Sequence, residues 1–198
     1  MHQPWASAPG GARGGEWLGL GRLLRRALVL VRVELGAAAG VVLLLVRLVF
    51  ASALIVLFAI DLEHQILPNV VTLPGIALGL ISSAVLPPGI VDALIGAALG
   101  GGVLWLIGEA YFRYSGHEGM GGGDVKMLGM IGAFLGWKLV LVTLVLSSVA
   151  GSIVGLFVIV IKRGGMKYAL PYGTFLALGA LVASLAGDRI VNWYVSMY

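Results

Sequence analysis

Two aspartates, Asp61 and Asp124, each stand where a polar stretch meets a long apolar segment. Asp124 follows the glycine-rich run of residues 119–123 and opens what the pattern predicts to be a helix. When two carboxylates share one site, one of them stays protonated because both cannot ionise cheaply. The ionised partner can then act as a base on a water molecule, and the protonated partner can polarise a peptide carbonyl. Placed together, the two aspartates would have the chemistry of an aspartic protease.

Each aspartate also has a structural explanation that involves no chemistry. Asp61 alone could be a solvated carboxylate at the end of a helix. Asp124 alone could stabilise the start of its helix, where free N–H groups and the helix dipole favour a negative charge. The neighbouring Glu63 and His64 suit a solvated loop, and no second histidine lies at a spacing typical of a metal site. We therefore predict no metal centre and no cofactor.

Two further features of the charged side chains have structural interpretations. Lys126, two residues after Asp124, is expected to pair with a carboxylate or to extend its ammonium group toward the membrane surface. Glu109 is expected to pair with Arg113, because residues four apart lie on the same face of a helix.

The composition predicts a membrane protein in which helices position the two aspartates. Of 198 residues, 60% are hydrophobic and 11% are charged, far below the roughly 25% charged residues of soluble domains. The apolar runs are long and continuous, which favours spanning helices over the alternating strands of a β-barrel. The net charge of +4 is interpreted as a signal of membrane orientation and not of nucleic-acid binding. The absence of cysteine excludes disulfides and cysteine-ligated metal.

The predicted fold class is all-α, a polytopic transmembrane bundle of about six spanning helices. The predicted spans are residues 36–60, 70–86, 90–111, 124–137, 138–161 and 171–186. The span at 124–137 is short, about 21 Å at the helical rise per residue. It is therefore either a short buried helix or a helix that begins below the lipid surface.

The sequence predicts four parts along the chain. Residues 1–15 form a disordered tail, 36–187 the membrane-embedded domain and 188–198 a C-terminal tail. Residues 16–35 mix leucines with arginines, which suits either an amphipathic helix at the membrane surface or a short spanning helix. The topology of residues 16–60 stays open.

The distribution of Lys and Arg predicts the orientation of the bundle. From Asp61 onward, the loops 61–69, 112–123 and 162–170 fall on one side and carry most of the positive charge. That side is expected to be cytoplasmic. Asp61, Asp124 and Pro171 then converge on one face of the membrane.

Three segments in this order resemble the type IV prepilin peptidases, bacterial members of the GxGD membrane aspartic proteases. The segments are residues 59–69 (AIDLEHQILPN), 119–126 (GMGGGDVK) and 171–177 (PYGTFLA). The resemblance implies that Asp61 and Asp124 are the catalytic pair. It also implies a set of residues that shape the site or bind substrate, namely Gly121, Gly123, Lys126, Pro171 and Gly173.

The resemblance further implies a substrate and a location. A bacterial inner-membrane enzyme of this family cuts one peptide bond in a prepilin or pseudopilin, after the basic leader, at the cytoplasmic face, without a metal. Glu118, beside the GxGD motif, is our own hypothesis for a contact with that basic leader. Lipid is the other expected partner, while the oligomeric state and the identity of the pilin-like substrate stay open.

The sequence also departs from the family pattern. Many members carry an N-terminal cytoplasmic domain with two Cys-x-x-Cys pairs, whereas this chain has no cysteine. We therefore expect peptidase activity without the N-methyltransferase activity of bifunctional members. Two alternatives remain: a small transporter or channel that uses the carboxylates as ion sites, and an inactive structural homologue in pilus or secretion assembly.

Overall fold

The structure is a computed structural model, and it describes residues 12–117, 121–162 and 171–197. The described residues form a bundle of α-helices. These residues form five helices: α1 Ala12–His64, α2 Asn69–Ser83, α3 Ile90–Ser115, α4 Gly122–Lys162 and α5 Tyr172–Val195. Among the described residues, four helices are long and apolar enough to cross a membrane, and α2 is a shorter apolar helix. The predicted all-α membrane bundle is confirmed.

α4 contains a break at Gly136, which has φ 78° and ψ 175°. Only glycine adopts such a positive φ at little cost, because it has no Cβ. The break lies beside the boundary that we predicted between the spans 124–137 and 138–161. Two predicted spans therefore form the two halves of one interrupted helix.

The chain divides after Leu45 into two units, and α1 contributes to both. α1 runs without a break through residues 16–35 and 36–60, which we predicted as separate elements. Its sequence contains no proline that would interrupt the backbone hydrogen bonds. Residues 1–11 of the predicted tail lie outside the described residues, and the division into four parts stays a prediction.

The core of the second unit surrounds the first half of α4. Residues 127–133 of this half are all buried, as expected for a helix that is apolar on every side. The adjoining core side chains include Phe50, Leu54 and Leu57 from α1, and Leu176, Ala177 and Ala180 from α5. The burial of residues 127–133 agrees with the interpretation of 124–137 as a buried helix, while its depth relative to the lipid surface stays a prediction. One end of this central helix carries Asp124.

Candidate active site

Asp61 lies in the last turn of α1 and is buried, with 4% of its surface exposed. Its Oδ2 atom accepts two hydrogen bonds from Thr174, one from the backbone N–H at 2.6 Å and one from the hydroxyl at 2.9 Å. Thr174 belongs to the first turn of α5. The end of α1 is thus joined to the start of α5 through one carboxylate oxygen.

Gly173 is the reason that α5 can come so close to Asp61. A Cβ atom built on Gly173 would stand 2.9 Å from Asp61 Oδ2 and 3.0 Å from Leu67 Cδ1. Pro171 directly precedes α5 with an extended backbone, φ −68° and ψ 98°. Pro171 therefore directs the chain into the helix, while Gly173 contacts the carboxylate.

Asp124 lies in the first turn of α4, as its position after the glycines predicted. Its backbone N–H donates to the carbonyl of Gly121 at 3.1 Å. A Cβ built on Gly121 would lie 3.8 Å from Asp124 Oδ2, so the carboxylate lies beside this glycine. Asp124 is partly buried, and Asp61 lies near enough for the two carboxyl groups to influence each other. The fold thus brings together the two aspartates that the sequence separates.

Leu67 packs between the start of α4, which carries Asp124, and the start of α5, whose Thr174 bonds Asp61. Its side chain is 9% exposed. A Cβ on Gly123 would stand 2.8 Å from Leu67 Cβ, and the other end of this side chain contacts Gly173. Leu67 therefore spaces the start of α4 from the start of α5.

Lys126 has a partner that the sequence analysis did not name. Its Nζ donates to Oδ1 of Asn69 at 2.8 Å. Lys126 thus pairs with an amide oxygen and not with the carboxylate that we expected as one alternative, because Asn69, the first residue of α2, lies within its reach. The other alternative, that its ammonium group extends toward the membrane surface, stays a prediction. This hydrogen bond joins the start of α2 to the first turn of α4.

The remaining predicted residues have simpler outcomes. Arg113 Nε donates to Glu109 Oε1 at 2.8 Å on the surface of α3, which confirms the predicted pair. Glu118 lies outside the described residues. Within the described ranges, no group of three or more His, Cys, Asp or Glu side chains is placed to hold a metal ion.

Three residues of the site were missed: Thr174, Leu67 and Asn69. All three lie within the motifs at 59–69 and 171–177, so the motifs themselves marked the segments. Thr174 offered one usable signal, since a hydroxyl directly after a glycine in a helix-opening turn is a ready donor. Nothing in the sequence distinguishes Leu67 from the many other leucines.

The model of the type IV leader peptidase family matches residues 48–156, which include both aspartates. This chain belongs to the type IV leader peptidase family. The resemblance that the three motifs indicated is thereby confirmed. The family match does not favour the transporter, channel or structural-homologue alternatives.

Several curated proteins are similar to this family member. The prepilin leader peptidase/N-methyltransferase of Aeromonas salmonicida strain A449 is 39% identical over 156 residues, which are 77% of this chain and 53% of the relative. The protein of the same name from Pseudomonas putida is 40% identical over 148 residues, 74% of this chain and 51% of the relative. The chain thus spans about half the length of these relatives. No solved structure was found to match it.

Proposed function

We propose that this family member is a membrane-embedded aspartic endopeptidase that removes the basic leader peptide from type IV prepilins or pseudopilins. The observation that carries the proposal is the convergence of the two aspartate segments on Leu67, which contacts Gly173 beside Asp61 and Gly123 beside Asp124. The family and the names of its curated members support the choice of substrate.

The reaction class follows from the side chains at the site. One carboxylate of a close pair activates a water molecule, and the other polarises the peptide carbonyl that the water attacks. Gly121 lies beside Asp124 and leaves room for an extended peptide backbone, while Gly123 shapes the site by packing against Leu67. The pair needs no metal for this step.

The proposed setting is the bacterial inner membrane, with the two acids at the cytoplasmic face. The excess of Lys and Arg in the loops on the side of Asp61 and Asp124 supports this orientation. Glu118 remains our proposed contact for the basic leader. Charge reversal at Glu118 should raise the KM for a prepilin, and an unchanged KM would remove this contact from the proposal.

A cleavage assay tests the proposal. The purified protein in lipid is mixed with a prepilin, beside the variants Asp61→Asn and Asp124→Asn. Asp92→Asn is the matched control, because Asp92 lies in the first turn of α3 and outside the site. We expect cleavage by the native protein and the control and none by the other two. Cleavage by a folded Asp61→Asn or Asp124→Asn variant would contradict the proposed pair.

A further inference from the structure

We infer that Thr174 is a positioning residue that holds Asp61 as the unprotonated member of the pair, which makes Asp61 the base and Asp124 the acid. The inference deepens the proposed function and rests on it, because it assigns roles within the same peptide-bond hydrolysis. It names a residue that lies outside the two aspartate motifs.

The argument begins with the donors around Asp61. Both hydrogen bonds from Thr174 end on the same oxygen, Oδ2. The backbone N–H can only donate, so it cannot accept a proton carried on that oxygen. Donors that point at a carboxylate stabilise its charged form. A proton on Oδ2 would therefore lose the N–H hydrogen bond, and a proton on Oδ1 would leave both donors with a weaker, uncharged acceptor.

Burial strengthens this preference. Asp61 and Thr174 are 4% and 6% exposed, so little water is available to replace either hydrogen bond. An ionised carboxylate at such a place depends on the protein for its hydrogen bonds. Thr174 supplies two of them from one residue, and Gly173 supplies the close approach that makes both possible.

Asp124 is in a different environment. The backbone N–H of Asp124 donates to the carbonyl of Gly121, whereas Thr174 directs two donors at the carboxylate of Asp61. Two adjacent carboxylates share one proton, and the proton rests on the member that is less stabilised as an anion. The donors therefore break the symmetry of the pair and leave the proton on Asp124.

The roles in hydrolysis follow from this assignment. Water attacks the peptide carbon and gives one proton to Asp61, while Asp124 gives its proton to the carbonyl oxygen, which forms a neutral gem-diol. The carbon–nitrogen bond then breaks as the nitrogen takes the proton from Asp61 and a gem-diol hydroxyl returns a proton to Asp124. The products are a carboxylic acid and an amine, and the pair regains its starting state.

Two substitutions at Thr174 test its role. Thr174→Val keeps the shape and the backbone N–H but removes the hydroxyl, and Thr174→Ser keeps both donors. We expect Thr174→Val to lower the kcat for prepilin cleavage about tenfold or more with little change in KM, and Thr174→Ser to recover most of it. Thr143→Val is the control, because Thr143 is also buried but its hydroxyl bonds the carbonyl of Leu139 in its own helix.

The outcomes separate positioning from packing. An unchanged kcat in Thr174→Val would overturn the inference, and so would an equal loss in Thr174→Val and Thr174→Ser. Unfolding temperatures of all variants identify any that do not fold. Failure of the native protein to cleave would count against the proposed function instead.

Infrared spectroscopy tests the assignment without relying on cleavage. The native protein should show a C=O band from a protonated carboxyl group. Thr174→Val should shift the carboxylate bands, because it removes a donor to Asp61, and should leave the protonated-carboxyl band in place. A shift of that band in Thr174→Val, or its absence from the native spectrum, would overturn the assignment. Thr174→Ala, which also lacks the hydroxyl and keeps the backbone N–H, replaces the valine variant in this measurement if that variant does not fold.

Discussion

Gly173 lies against the carboxylate of Asp61 with no room for a methyl group between them, since a Cβ at residue 173 would stand 2.9 Å from Asp61 Oδ2. This contact determines how close α5 comes to the end of α1. It also brings the donors of Thr174 to the same oxygen. The geometry of the acid therefore depends on a residue that has no side chain.

Gly173→Ala is expected to lower kcat by about a hundredfold, because a displacement of a reacting group by about 1 Å has effects of this size. The measurement is steady-state cleavage of a prepilin by the variant in lipid. Gly151→Ala is the control, since its added Cβ would meet Phe175 at an ordinary 3.6 Å. Native activity in Gly173→Ala would show that Asp61 tolerates the displacement.

Gly123→Ala should reduce both activity and stability, whereas Gly122→Ala should leave both near the native level. A Cβ at 123 would stand 2.8 Å from Leu67 Cβ, while nothing lies within 4 Å of one at 122. Overpacking of this kind costs about 1–3 kcal/mol. Cleavage rates and unfolding temperatures of the two neighbours provide the comparison. Equal behaviour of the two variants would contradict the spacing role of Leu67.

The hydrogen bond between Lys126 and Asn69 is expected to couple the starts of α2 and α4. Because this hydrogen bond is solvent-exposed, a double-mutant cycle of Lys126→Ala and Asn69→Ala should give a coupling energy of only about 0.5–1 kcal/mol. Unfolding free energies of the four proteins measure it. Strictly additive effects would show that the hydrogen bond contributes nothing to stability.

Glu109 and Arg113 are expected to contribute little to stability or to prepilin cleavage. Their ion pair lies on one face of α3, and the Arg113 side chain is 78% exposed. Exposed pairs four residues apart contribute about 0.5 kcal/mol or less. Arg113→Ala should therefore keep native prepilin cleavage and an almost unchanged unfolding temperature. A large loss of cleavage would assign Arg113 a role that its contacts do not indicate.

Much of the fold could be predicted because it depends on local properties of the chain. In a membrane, a long apolar run can satisfy its own backbone hydrogen bonds only as a helix. The all-α class therefore followed from the composition. The Glu109–Arg113 pair followed from helical spacing, and the start of a helix near Asp124 from the glycines before it. Each of these inferences involves residues only a few positions apart.

Other features came from packing between distant segments. The continuous α1 was not predicted, because the change from arginine-rich to apolar composition suggested a boundary that the backbone does not require. The partner of Lys126 is 57 positions away, and nothing in the local pattern favours Asn69 over a carboxylate.

The sequence by itself determined the class of the protein, the two aspartates and the segments around them. Only the tertiary structure decided that Thr174, 113 positions from Asp61, supplies both donors to its carboxylate, and that Leu67 lies between Gly123 and Gly173. The physical reason is the range of the interactions. Helix formation and membrane partition act over one or two turns, whereas the distance between two acids is determined by side chains that meet only after the helices pack.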